Sequence, residues 1–146
     1  MKKQFVLFIA AIFTFAMVSS AYAAKKAKCP QPRKTKSAPS STAKSDKTSK
    51  ANKANGKKIY QKTAKPMACK MCHGVKGGGD GKLGKALKPN PRNFNCKATM
   101  KKVSAGQMFW IIKNGSKGTG MVAHKKTLKD KEIWDVIKYI RKDLMK

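Results

Sequence analysis

Two cysteines and a histidine stand together in the stretch CKMCH, residues 69–73. Cys69 and Cys72 are separated by two residues, and His73 follows directly. This spacing is compatible with three kinds of chemistry: a redox dithiol, half of a zinc site, or the covalent attachment of haem. The rest of the chain has to decide between them.

The dithiol and zinc alternatives each require features that this sequence lacks. A thioredoxin-like CxxC lies at a strand-to-helix junction within a βαβ pattern, and no alternation of apolar and polar residues predicts strands here. A zinc site needs a second pair of ligands at similar spacing, whereas His124 has no nearby partner in the sequence.

Covalent haem attachment uses both cysteines and the histidine. Thiols at positions i and i+3 can add to the two vinyl groups on one edge of the porphyrin, and the adjacent histidine can bind the iron. With four cysteines and two histidines in 146 residues, a chance CxxCH is expected in on the order of one such chain in a thousand. The motif therefore predicts one haem c, with Cys69 and Cys72 as the thioethers and His73 as the proximal iron ligand.

The first residues have the pattern of an export signal. Two lysines precede an uncharged apolar run over residues 5–18, and Ala-Tyr-Ala at 21–23 forms an A-x-A cleavage site. We predict that residues 1–23 are a cleaved signal peptide and that the protein is periplasmic. The alternative is a membrane anchor that stays uncleaved, because residues 5–24 form a run of 20 uncharged residues, about the length that spans a bilayer.

A low-complexity basic segment follows the leader. The stretch KTKSAPSSTAKSDKTSKANKANGKK, residues 34–58, contains no large apolar residue. Because such a segment cannot bury enough surface to offset its ordering entropy, we predict a disordered linker over residues 24–54. A plain solvated linker and a basic arm held near an anionic membrane are the two functional alternatives.

The whole chain is strongly basic. It has 35 lysines and arginines against six acidic residues, a formal net charge of +29. Such a surface attracts acidic redox proteins or an anionic membrane surface. Nucleic acid is not an expected partner of an exported protein, and the scattered acidic residues offer no acid–base pair for catalysis on a small-molecule substrate.

Five stretches between residues 55 and 146 resemble, in order, the class I c-type cytochromes of bacteria. They are similar to that family's first helix, attachment motif, following loop, methionine-bearing loop and last helix: GKKIY (56–60), CKMCHG (69–74), GDGKLGKALKPNPRNF (79–94), NGSKGTGM (114–121) and LKDKEIWDVIKYIRKDL (128–144). The resemblance implies an all-α cytochrome c domain over residues 55–146. It would have three to four helices around the covalent haem and be preceded by the disordered basic tail.

Helical patterns in the residues themselves support this layout. In the last segment the apolar residues recur at helical spacing, at Ile133, Val136, Ile137, Ile140 and Leu144. A middle helix is predicted over residues 104–113, since Ser104 is a good N-cap and Asn114-Gly115 is a good stop. The first helix should break before Pro66.

The axial ligands of the iron follow from the loops. Met121 is the predicted distal ligand, because its glycine-rich loop lets the backbone approach the ring edge. His124 is the alternative ligand and would give a lower reduction potential; otherwise we expect it to be a solvated loop residue. His73 should donate its other ring N–H to a backbone carbonyl, and the resemblance puts that acceptor within residues 87–91.

Two cysteines are left when the haem has taken its pair. In an oxidising compartment Cys29 and Cys96 can form a disulfide with each other, and intermolecular pairing is the alternative.

The predicted function follows from an iron that has both axial positions filled. Such an iron can cycle only between its ferric and ferrous states, which indicates a one-electron carrier in a respiratory or other periplasmic chain and not an enzyme. The alternative is a cytochrome subunit of a larger oxidoreductase whose catalysis lies on another chain.

Overall fold

The structure is a computed structural model that describes residues 28–32 and 35–145. All regular secondary structure within these ranges is helical, which confirms the predicted all-α class. The predicted signal peptide at 1–23 lies outside the described residues. Among the helices that are described, none has the length and apolar character needed to cross a bilayer.

Six α-helices occur in the part of the chain that the structure describes. They are α1 (Ser40–Lys44), α2 (Lys53–Lys58), α3 (Lys70–His73), α4 (Lys97–Met100), α5 (Ala105–Asn114) and α6 (Asp130–Tyr139). Segments of π-helix extend α2 over Ile59–Thr63 and α6 over Ile140–Leu144, and 3₁₀ turns occupy Thr48–Lys50 and Gly84–Ala86. The predicted first helix corresponds to α2 with its π-helical extension, and it ends before Pro66 as predicted. The described residues contain more helices than the predicted three to four because α1, α3 and α4 are each only about one turn long.

The crossing of α2 over α6 forms the frame of the domain. Gly56 in α2 is buried against the backbone of α6, and a Cβ atom at this position would overlap the carbonyl group of Asp135. The five apolar residues predicted for the buried face of the last helix are all buried. The helices can therefore approach closely only because position 56 is a glycine.

The middle helix has the predicted boundaries to within one residue. The Ser104 side chain caps α5 by accepting a hydrogen bond from the Gln107 N–H at 3.1 Å. Gly115 ends the helix with a φ of +74°, a left-handed conformation that favours glycine. The Phe109 ring of α5 stacks on Trp134 of α6 with 4.7 Å between ring centroids, and this contact joins the two helices.

For residues 35–54 the structure differs from the predicted disordered linker. Helix α1 lies against the start of α5, where Ser104 Oγ donates to the Ala43 carbonyl at 2.7 Å. The approach is so close that a Cβ at Gly106 would overlap the Thr42 carbonyl. The prediction weighed only apolar burial, whereas this segment is held by hydrogen bonds to α5. Residues 24–27, 33 and 34 of the predicted linker lie outside the described residues.

Asp135 should be a large contributor to stability. Its side chain is fully buried and accepts hydrogen bonds from the Asn52 N–H at 2.6 Å and from Asn55 Nδ2 at 2.8 Å. We expect Asp135→Ala to lower the free energy of unfolding by about 2–4 kcal/mol, because both donors lose a charged acceptor in a buried place. Denaturant unfolding followed by circular dichroism measures this loss.

Asp130→Ala is the matched control for this prediction. The Asp130 carboxylate is exposed and pairs with Lys113 at 2.8 Å, so its loss should cost no more than about 1 kcal/mol. Equal losses in the two variants would contradict the role assigned to Asp135.

Candidate functional site

One cavity brings the predicted site residues together. It has a volume of about 370 Å³, within the range of small-molecule and cofactor sites, and its walls are largely apolar. Side chains that can bind a metal or form a covalent bond lie among the lining residues: Cys69, Cys72, His73, Met121 and His124.

The two thiols of the CxxCH motif are positioned by the single turn of α3. The Cys69 carbonyl accepts hydrogen bonds from the N–H groups of Cys72, at 3.2 Å, and His73, at 2.9 Å. Residues three apart on such a turn lie on the same face, and both cysteines are free and line the cavity. Burial raises the pKa of Cys69 to about 11 and also raises the pKa of Cys72. Both groups are therefore neutral S–H groups at neutral pH.

The His73 ring is held in one tautomer. Its Nδ1 lies 3.1 Å from the Arg92 carbonyl oxygen, and because a carbonyl can only accept, Nδ1 must donate. Nε2 then keeps its lone pair, as a metal ligand requires. Burial lowers the pKa of His73; the hydrogen bond to the Arg92 carbonyl raises this pKa by less, and the charges of Arg92 and His124 lower it a little further. The Phe94 ring stacks on the His73 ring with 4.7 Å between ring centroids. These contacts hold a neutral imidazole in a fixed plane.

The carbonyl acceptor for His73 corrects the prediction. We expected it within residues 87–91, and the structure has Arg92, one residue further along the chain. The reason is the anchor at Phe94, whose N–H donates to the Gly77 carbonyl at 2.7 Å. This bond sets the path of the preceding residues and turns the Arg92 carbonyl toward the ring.

Tyr60 supports the motif from behind and was not predicted as a site residue. Its fully buried side chain donates a 2.8 Å hydrogen bond from Oη to the Gly74 carbonyl. Burial raises the pKa of Tyr60, so the hydroxyl remains a donor. The sequence did offer a signal for this role, a tyrosine near the end of the predicted first helix. Buried tyrosines usually find a hydrogen-bond partner for their hydroxyl.

The loop that carries Met121 is fastened on both sides of that residue. The Met121 N–H donates to Thr119 Oγ1 at 3.1 Å, and its carbonyl accepts from the Ser116 N–H at 2.9 Å. Gly118 has a φ of +72° and makes the turn possible. Met121 is half-buried and lines the cavity.

His124 is buried, not solvated as we expected. Its side chain is 5% exposed, and its backbone N–H donates to the Ile112 carbonyl at 3.0 Å, which folds the loop back onto α5. Nδ1 lies 3.3 Å from Thr127 Oγ1, and burial lowers the pKa of His124. The structure thus brings both candidate distal ligands to the cavity.

The two remaining cysteines are joined to each other. Cys29 and Cys96 form a disulfide with 5.6 Å between their Cα atoms, across a sequence separation of 67 residues. The bond holds residues 28–32 beside the cavity, which Lys28, Gln31 and Pro32 help to line.

Comparisons with known proteins show which family and which solved structures this chain resembles. The cytochrome c family model matches residues 53–143. Among solved structures, the chain is similar to a chain of the Kuenenia stuttgartiensis reducing HAO-like protein complex Kustc0457/Kustc0458, with 28% identity and a TM-score of 0.55 over 64% of this chain and 43% of that one. It is also similar to the KustC0563 c-type cytochrome, with 27% identity and a TM-score of 0.49 over 59% of this chain and 93% of that one.

The present chain spans less than half the length of the chain from the HAO-like complex. No curated protein matches it.

Proposed function

This chain belongs to the cytochrome c family and carries covalently bound haem c with its iron, and from that premise we propose that it is an exported electron carrier with a single haem. The observation that carries the proposal is that Cys69, Cys72, His73 and Met121 line one cavity. Bound haem supplies a reversible one-electron couple. The protein supplies the walls, the ligands and the orientation.

Each of these residues has a role that its geometry supports. Cys69 and Cys72 would hold the porphyrin through thioether bonds, since both are free thiols that line the cavity, Cys69 directly before α3 and Cys72 within it. His73 would bind the iron through Nε2, because Nδ1 is committed to the Arg92 carbonyl. We propose Met121 as the distal ligand and keep His124 as the alternative, since both line the cavity.

The rim of the cavity suits electron transfer to a protein partner. Met67 and Val122 line the cavity and are also exposed, with 40% and 45% of their surface accessible. They give the site an apolar edge at the protein surface. Exposed lysines, Lys65 and Lys125, neighbour this edge in the sequence, and the net charge is +29. An acidic redox protein would be attracted to this surface, and an anionic membrane surface would be attracted by the same charge.

Electron transfer to an acidic redox protein should therefore depend strongly on salt. We expect the bimolecular rate constant, measured by stopped flow, to fall by about tenfold or more from low to high ionic strength. Lys125→Glu should lower the rate at low salt more than Lys57→Glu, the same charge reversal at an exposed position on α2. A rate that does not change with salt, or two variants with equal effects, would contradict docking at the rim.

A second function is favoured by the likeness to a chain of the HAO-like complex. In this alternative the protein is the cytochrome subunit of a larger oxidoreductase, with catalysis on another chain. Co-purification with a partner at low salt would support it, and a monomer at every ionic strength would contradict it.

A further inference from the structure

Gln31 holds the backbone that orients His73. It belongs to the short segment tied down by the Cys29–Cys96 disulfide, and its own N–H donates to Thr99 Oγ1 at 3.2 Å. Its side-chain Nε2 donates to the Pro91 carbonyl at 2.9 Å. Its Oε1 accepts from the Asn93 N–H at 2.9 Å and from Arg92 Nη1 at 3.3 Å. One side chain therefore fastens three consecutive residues.

One of these bonds and the His73 bond meet at a single peptide unit. The Asn93 N–H and the Arg92 carbonyl are the two ends of the same amide. Gln31 Oε1 accepts from the N–H end, while the carbonyl end accepts from His73 Nδ1. Hydrogen bonds in such a chain polarise one another, so acceptance of the Asn93 proton makes the Arg92 oxygen a better acceptor.

We propose that Gln31 is a positioning residue for the proximal ligand, acting through the Arg92–Asn93 peptide on the His73 Nδ1–H bond. A stronger bond at Nδ1 raises the basicity of the histidine as a ligand. A more basic ligand stabilises ferric iron more than ferrous iron, so Gln31 lowers the reduction potential of the haem. This inference deepens the proposed haem site and rests on it.

The competing explanation for the contacts of Gln31 is that residues 28–32 only keep water out of the cavity. The two explanations predict opposite signs. Loss of a water barrier would expose the iron to solvent, favour the ferric charge and lower the potential. Loss of the polarising acceptor would weaken the His73 bond and raise the potential.

The test is Gln31→Leu in the full-length protein matured with haem. We expect a rise in reduction potential and an upfield shift of the His73 Nδ1–H proton resonance in the ferrous state, because a leucine cannot accept the Asn93 proton. Gln31→Glu keeps an acceptor at this position, so it should leave the His73 resonance at or downfield of its wild-type position.

Gln107→Leu is the matched control. Gln107 also lines the cavity and also binds the N-terminal segment, but through the Ala38 N–H at 2.7 Å and the Lys36 carbonyl at 2.9 Å. This variant should leave the His73 resonance unchanged.

Three results would overturn the proposal. These are an unchanged His73 resonance in Gln31→Leu, a fall in its potential, or an equal shift in Gln107→Leu. A wild-type protein without covalently bound haem would contradict the proposed site itself, whereas a normal haem protein with an unchanged resonance contradicts only the action of Gln31.

Discussion

The double variant Cys69→Ser/Cys72→Ser is expected to lose all covalently bound haem. Serine hydroxyls do not add to the vinyl groups as thiols do, and the structure has no other free cysteine among residues 28–32 and 35–145. After maturation in a competent host, acidified acetone should extract the whole of any pigment from the variant and none from the wild-type protein. Haem staining after denaturing electrophoresis should agree.

Cys29→Ser/Cys96→Ser is the control for this loss. Like the first variant it removes two sulfur atoms, here those of the disulfide, and it leaves the Cys69 and Cys72 thiols in place. This variant should keep its haem through acidified acetone. If it loses the haem and the Cys69/Cys72 variant retains it, the assignment of the attachment site is wrong.

The features that could be predicted from the sequence are those with a local signal. The apolar residues of α6 recur at helical spacing and are buried as predicted. Ser104 and Gly115 bound α5 because capping depends on residues within the helix ends themselves. The CxxCH motif could likewise be recognised in the sequence, because its two cysteines and its histidine lie within five consecutive residues.

The features that could not be predicted are contacts between distant parts of the chain. The bonds from Gln31 to residues 91–93 span about 60 positions and leave no periodic pattern. The His124 side chain was expected in solvent as part of a loop, yet a backbone bond to Ile112 folds the loop inward. The segment before α2 was expected to be disordered because it has no large apolar residue, but polar groups of α5 hold it in place. Hydrogen bonds of this kind depend on tertiary structure that composition does not report.

The charge of the chain illustrates the same limit. A net charge of +29 predicts attraction to acidic partners and can be read from composition alone. It does not say where the partner docks. The proposed docking site depends on Met67 and Val122, which come from different loops and both line the cavity. The proposed attraction can thus be inferred from composition, whereas the proposed docking site can be inferred only from the fold.

Replacing the distal ligand of the iron is the second change for which we expect a large effect. We expect Met121→Ala to abolish the weak far-red absorption band that a sulfur–iron bond gives to the ferric protein. The reduction potential should fall by on the order of 0.1 V, within the range of about 0.8 V over which axial ligands set haem potentials. The reason is that a methionine sulfur favours ferrous iron more than a water or an imidazole would.

His124→Ala tests the alternative ligand in the same cavity. If Met121 binds the iron, this variant keeps the far-red band, because it removes only a buried ring that bonds to Thr127. The band would persist in Met121→Ala if another sulfur bound the iron, and this result would contradict our assignment. A wild-type protein without the band, together with a changed ferric spectrum in His124→Ala, would instead identify a bis-histidine iron. Met121 and His124 lie three residues apart in one loop. A general loosening of that loop would change the ferric spectrum of both variants in the same way, so it could not reproduce the pattern expected for either ligand.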